Sequence, residues 1–176
     1  AVVGGLAEHR DAAGKHDARP AAEGARRFGS HLCHISTDYV FGGDKAEPYL
    51  EWDAPAPRSV YGASKLAGER ECDEDATILR ISWVCGFHGA NMVKTILRLA
   101  GEHPALRFVD DQIGHPTFTH DLAPVLRRLG LERVGGVVHA TNSGVVSWHG
   151  FAQSVVAAMG LDPEMVRPIS TAELQP

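Results

Sequence analysis

The sequence predicts an α/β fold, a parallel sheet flanked by helices, and three observations carry that expectation. Two compact apolar runs, Leu32 to Ser36 and Thr77 to Trp83, read as buried strands and are bounded by polar or turn residues. Segments with apolar residues at helical spacing alternate with such runs, the order expected when helices cover a parallel sheet. A Gly- and Pro-rich stretch, Gly42 to Pro57, separates the first strand from the first well-capped helix and is long enough to serve binding as well as connection.

Taken in order, the chain opens weakly: between Ala1 and Gly29 only Ala1 to Leu6 resembles a strand and Ala21 to Phe28 a short helix. After the strand at Leu32 and the loop, Ser59 is placed to cap a helix that runs to about Cys72. Met92, Ile96 and Leu99 share one face of a helix over Asn91 to Glu102. Leu106 to Val109 follows as a short strand and Asp110 to Thr117 as a polar loop. Asp121 to Leu129 reads as helix and Val137 to Ala140 as extended chain. Ser147 then caps a helix whose Trp148, Phe151, Val155 and Met159 recur at core spacing. Pro163 to Pro176 presents no closing element, and there is no internal repeat or low-complexity linker.

With 176 residues, 44% of them hydrophobic, the chain can bury one domain's core. Its net charge of -5 supplies no basic footprint, which argues against a nucleic-acid polymer as partner. Cys33, Cys72 and Cys85 form no CxxC pair and are expected as buried, reduced thiols. No apolar run approaches the ~20 residues of a membrane span, and no charged-then-apolar segment opens the chain. The expectation is a soluble, cytoplasmic protein with no membrane partner.

The chemistry concentrates in Tyr61 and Lys65, four residues apart and so on one helical face. A phenol has an ordinary pKa of about 10, and a neighbouring ammonium favours its ionised form, which suits it to proton transfer near neutrality. A Tyr and a Lys at this spacing also occur on solvated faces. The functional reading gains from Ser36-Thr37-Asp38 at the end of the preceding strand, because ligands of open α/β sheets bind beyond the carboxyl ends of strands. Thr37 would then stand at the mouth of the site, or else form a Ser/Thr/Asp turn that satisfies backbone groups. Trp83 closes the next strand, either to lay its ring against a sugar or base or to pack in the core.

Other chemistries have less to stand on. Asp110 and Asp111 are adjacent, so in extended chain their side chains diverge, against a paired-carboxylate site. No HExxH occurs, and His31 and His34 are expected on opposite faces of a strand, which disfavours a zinc site. No GxSxG elbow anchors a hydrolase triad, and no GxGxxG dinucleotide fingerprint is present.

Three segments together, Ile35-Ser36-Thr37-Asp38-Tyr39-Val40-Phe41, Val60-Tyr61-Gly62-Ala63-Ser64-Lys65-Leu66-Ala67-Gly68-Glu69 and Arg80-Ile81-Ser82-Trp83-Val84, closely resemble the dTDP-4-dehydrorhamnose reductases, extended short-chain dehydrogenases/reductases. The resemblance continues in order through Asn91-Met92-Val93-Lys94-Thr95, Val109 to Thr117 and Thr141-Asn142-Ser143-Gly144, followed by Ser147-Trp148. It implies a Rossmann-type cofactor part and a smaller sugar-nucleotide lobe. The expected division is a catalytic remnant of the dinucleotide-binding domain over residues 1–87 and a mainly substrate-binding lobe, interleaved with it, over 88–176. The implied reaction is reduction of dTDP-4-dehydro-L-rhamnose to dTDP-L-rhamnose with NADPH or NADH.

By the same resemblance Tyr61 matches the proton donor. Lys65 matches the residue that holds the nicotinamide ribose and supports the tyrosine, so both are cofactor-binding positions. Thr37 matches the hydroxyl that tunes the phenol and touches the sugar, and Asp38 and Trp83 match substrate contacts. Some members form a magnesium-bridged homodimer, so Mg2+ and a second copy enter the implied partners beside the dTDP-sugar, although no metal ligands are assigned. The opening strand and glycine-rich turn of the cofactor fold have no counterpart, and the tail stops short of a final basic and aromatic segment. A truncated reductase is therefore expected, with its own turnover in question. Two alternatives accompany it: another nucleotide-sugar ketoreductase or epimerase, and a noncatalytic, reductase-like regulatory subunit.

Overall fold

The computed structural model describes Val2–Val3 and Ala18–Leu174. The chain divides into two compact units, one made of Ala12–Ser82 with His120–Thr141, the other of Trp83–Thr119 with Asn142–Pro176 and including Val2–Val3. The expected strand over Ala1 to Leu6 lies outside the described residues except at β1 (Val2–Val3).

The first unit carries α1 (Arg19–Phe28), β2 (Cys33–Thr37), α2 (Val60–Arg70), β3 (Thr77–Ile81) and β8 (Gly136–His139). The helix α4 (Thr119–Glu132) starts at its margin. The sheet order is β2-β3-β8, parallel throughout, with Cys33 opposite Thr77 and Thr37 opposite Ile81. Parallel neighbours need crossovers, and α2 supplies the one between β2 and β3. Leu66 of α2 packs with Val40, Phe41 and Tyr49 to form a small apolar cluster at the end of β2.

The second unit is built on a sheet in the order β1-β5-β10, also parallel, in which β5 (Leu106–Val109) is central and β10 (Val166–Ile169) pairs with it residue for residue. Two small ladders, β4 (Val84–Cys85) with β7 (Thr117–Phe118) and β6 (Ile113–Gly114) with antiparallel β9 (Val146–Ser147), tie its loops. The helices α3 (Met92–Glu102) and α5 (Trp148–Ala158) bury Ile96, Leu99, Trp148, Phe151, Ala152 and Val156 with Leu106, Phe108 and Val109. Asn91 and Ser147 cap these helices by accepting from the amides of Lys94 and Gly150.

The alternation thus delivers the expected α/β class, and four local expectations need correcting. Met159 is 44% exposed and not core, because α5 ends at Ala158 and Met159 is its cap. The segment after Pro163 does close the sheet, as β10. Its Arg167 and Pro168 are exposed between buried Val166 and Ile169, which hides the strand pattern, and a proline is tolerated because β10 is an edge strand among the described residues. His31 precedes β2, with Nε2 2.8 Å from the Thr77 hydroxyl, so the strand-parity argument applied to it does not hold. Of the cysteines only Cys85 is buried, while Cys33 and Cys72 are half-buried; all three are free thiols.

Candidate active site

Tyr61 and Lys65 stand on the first two turns of α2. Ser59 starts this helix with its hydroxyl accepting from the Gly62 amide at 3.0 Å. The buried stripe is Gly62, Leu66 and Glu69, spaced i, i+4, i+7, which turns Tyr61 and Lys65 onto the adjoining face. Tyr61 is 51% exposed and Lys65 is half-buried. Burial pushes the Lys65 ammonium below the ordinary lysine range, and the charge of Glu69, one turn on, opposes that fall.

Gly62 is required by a close approach. A Cβ at this position would lie 2.1 Å from the carbonyl oxygen of Tyr39, a backbone atom that cannot swing aside. The start of α2 therefore sits directly against the 3-10 turn Asp38–Val40 that follows β2, and the Tyr39 and Tyr61 rings meet edge to face with centroids 6.0 Å apart. The Tyr39 phenol, 37% exposed, is pushed up to about 12 by desolvation first and then by the neighbouring Asp38 and Tyr61.

Thr37 is buried at the end of β2, where its hydroxyl donates to Asp38 Oδ1 at 3.0 Å and accepts from the Tyr39 amide at 3.3 Å. Ser82 donates to the other Asp38 oxygen at 2.7 Å. Burial raises the Asp38 carboxyl above the ordinary range, and the hydrogen bonds from Ser82 and Thr37 partly offset this. The structure so brings Thr37, Asp38, Tyr61 and Lys65 onto β2, its following turn and α2 within one unit.

The loop over 42–57 is held by its own side chains. Tyr49 stacks on Phe41 at 4.2 Å and donates its hydroxyl to Asp44 at 2.8 Å. Lys45 pairs with Asp53 at 2.6 Å, and the Glu51 carboxylate accepts from the His139 amide of β8 at 3.1 Å.

Trp83 belongs to the other unit. The strand before it ends at Ile81, two residues earlier than the apolar run indicates, and Trp83 adopts a left-handed φ of 42°. Its ring stacks on Trp148 at 3.5 Å and lies so near Gly114 that a Cβ there would meet the indole at 2.4 Å. Trp83 thus packs against the core while its ring stays half-buried. The paired aspartates do diverge: Asp110 accepts from Ser147 at 2.5 Å, and Asp111 accepts from the Thr171 amide and hydroxyl.

Sequence reasoning passed over a buried network behind the site. Glu69 of α2 receives a forked pair of bonds from Arg80 of β3, at 3.0 Å from Nε and 2.7 Å from Nη2, and a further bond from Ser36 of β2. Both charged side chains are only 5% exposed, and the Arg80 guanidinium also lies over the Phe41 ring at 5.0 Å. The signal was available: a charged residue inside an apolar strand needs a buried partner, and Glu69 repeats the four-residue step from Tyr61 to Lys65. Ser82 was likewise missed.

Among the described residues no group of three or more His, Cys, Asp or Glu could hold a metal ion, and no helix is long and apolar enough to cross a membrane. The Mg2+ implied by the resemblance finds no ligand set among them.

Comparison with known proteins matches this arrangement to reductases. The chain is 45% identical over 139 residues to the spore coat polysaccharide biosynthesis protein SpsK of Bacillus subtilis, covering 77% of this chain and 49% of the relative. It is 44% identical over 161 residues to the dTDP-4-dehydrorhamnose reductase of Mycobacterium tuberculosis, covering 86% and 53%. The crystal structure of dTDP-4-dehydrorhamnose reductase from Bacillus anthracis in complex with NADP superposes with a TM-score of 0.84 at 40% identity, over 89% of this chain and 56% of that one. The chain spans about half the length of the curated relatives it matches. With the RmlD substrate binding domain profile matching residues 7–175 and these reductases at such identity, the chain belongs to the RmlD family of dTDP-4-dehydrorhamnose reductases.

Proposed function

We propose that this chain carries the proton-delivery apparatus of an NADPH-dependent reduction of dTDP-4-dehydro-L-rhamnose to dTDP-L-rhamnose. The observation that carries the reading is the shared, partly exposed face of Tyr61 and Lys65 on α2, set against the Thr37-Asp38 end of β2. A phenol and an ammonium on that face form a donor set suited to the hydroxyls of a nicotinamide ribose, and the B. anthracis relative is described in complex with NADP. The chemistry such a cofactor supplies when bound is hydride donation to the keto carbon.

The residues of this chain then manage the proton. Tyr61 gives its phenolic proton to the oxygen that becomes an alkoxide. Lys65 holds the ribose and, by its charge, eases loss of that proton. Thr37 has its own proton committed to Asp38 and already accepts from the Tyr39 amide, so toward the phenol or a sugar hydroxyl it offers a remaining lone pair as acceptor. Asp38 and Trp83 remain the candidate substrate contacts, Asp38 with both carboxylate oxygens already bonded within the protein. Residues 1–87 are read as the cofactor side and 88–176 mainly as the sugar side.

The test is NADPH oxidation with dTDP-4-dehydro-L-rhamnose, run beside other dTDP-4-keto sugars, for the chain and for Tyr61→Phe. Loss of a general acid is expected to lower turnover by about 10²–10⁴-fold. Equal rates for the two proteins would remove Tyr61 from the mechanism, and preference for another keto sugar would reassign the substrate.

A further inference from the structure

The buried Ser36–Glu69–Arg80 network joins three elements, yet the proton-delivery scheme does not use it. Its acidic member is one helical turn beyond Lys65, on the helix that carries Tyr61. We propose that Glu69 is the positioning residue of the Tyr61–Lys65 face: its carboxylate anchors α2 to β2 and β3 and holds a negative charge beside Lys65, so that the ammonium keeps its proton next to the phenol. This deepens the reductase reading and rests on it for its consequence, while the geometry stands independently.

The physical need is plain. Partial burial shifts Lys65 toward the neutral amine and the charge of Glu69 opposes that shift, so the carboxylate supports the cation that biases Tyr61 toward ionisation. A solvent-exposed counter-ion would be screened and mobile, whereas Glu69 is 5% exposed and is fixed by a forked guanidinium and a serine hydroxyl. Arg80 lies across the carboxylate on β3, which satisfies Glu69 without adding a second acid to the site.

Other ionisable groups on the elements packed against α2 are Cys33 and His34 of β2, of which His34 faces Gly68, and Asp38 and Tyr39 of the following turn. On α2 itself Tyr61 and Glu69 flank Lys65 on either side by one turn.

The experiment reads Lys65 directly and needs no turnover. In the chain labelled with 13C-lysine, the Lys65 ε-carbon is assigned among Lys15, Lys45, Lys65 and Lys94 by its loss in Lys65→Met, and its titration is followed by NMR. With the counter-ion removed in Glu69→Gln, the Lys65 midpoint moves to lower pH. Glu69→Asp, which keeps the charge, restores most of it, and Arg80→Gln, which frees the carboxylate, moves the midpoint up.

An anchor without electrostatic reach gives a different pattern, since a loosened α2 hydrates Lys65 and raises its midpoint in Glu69→Gln and Arg80→Gln alike. Should Glu69→Gln fail to fold, the double variant Glu69→Gln/Arg80→Gln leaves no unpaired buried charge and is compared with Arg80→Gln, below which its Lys65 midpoint is expected to fall. A midpoint that is unchanged or raised, for Glu69→Gln against the parent or for the double variant against Arg80→Gln, overturns the proposal. That result is distinct from failure of the reductase reading, which is judged by Tyr61→Phe turnover alone.

Discussion

Replacing Gly62 by alanine tests whether the site depends on the contact between α2 and the turn after β2. The added Cβ would fall 2.1 Å from Tyr39 O and 2.9 Å from Tyr39 C, both main-chain atoms, so α2 or the turn must retreat by roughly 1 Å to reach even the closest tolerated contact. Overpacking of this kind costs about 1–3 kcal/mol, and a backbone obstacle places it at about 3. Alanine regains about 1 kcal/mol of helix propensity over glycine, which leaves a net loss of about 2. For a chain of this size that corresponds to a melting temperature lower by about 4–8 °C.

Gly24, inside α1, supplies the control because a Cβ there meets nothing within 4 Å. Gly24→Ala should therefore gain the propensity term of about 1 kcal/mol alone. The two variants, identical in composition, are expected to differ by about 3 kcal/mol in urea or thermal melts, from these two terms together. On the role proposed for Tyr61, turnover falls in Gly62→Ala by more than the loss of folded protein accounts for, since displacing a catalytic group by about 1 Å can cost about 10²-fold. The reasoning is refuted if Gly62→Ala melts at or above the parent while Gly24→Ala behaves as stated.

Two further outcomes follow from the electrostatics and the packing. The Asp38 carboxyl is raised in the fold, so its contribution to stability is present below the ordinary aspartate value of 3.8 and is lost as pH rises through the raised value. Asp38→Asn should accordingly melt higher relative to the parent at pH 7 than at pH 3, and a difference independent of pH would contradict the buried placement of this carboxyl. Trp83 and Trp148 are stacked whereas Trp52 is 78% exposed, so the circular dichroism couplet of a coupled indole pair should vanish in Trp83→Phe and in Trp148→Phe but persist in Trp52→Phe. Persistence of the couplet in Trp83→Phe would count against the stacking.

Much of the architecture was legible because its causes are local. Ser59 and Ser147 cap helices by side-chain bonds that reach three residues, and Ile96, Leu99, Trp148 and Phe151 reach the core by a spacing set within each helix. Tyr61 and Lys65 share a face for the same reason, whereas Asp110 and Asp111 diverge in the bend after β5 and not in pleated chain. β10 was illegible because its pattern of burial is decided by β5 and by its place at the sheet edge, not by its own alternation.

By itself, then, the sequence determined the α/β class, the alternation of α1 to α5 with β2, β3, β5 and β8, and the identity of the chemical groups offered on α2, since backbone propensity and periodicity act between neighbours. Only the tertiary structure decided which partners those groups meet. That Glu69 bonds Arg80 and Ser36, that Gly62 lies under Tyr39, that Ser82 takes the second Asp38 oxygen, and that Trp83 rests on Trp148 are matters of contacts between residues that are not neighbours in the chain. Such contacts depend on the register of β2 against β3 and the depth at which α2 seats, and no short-range rule contains either quantity.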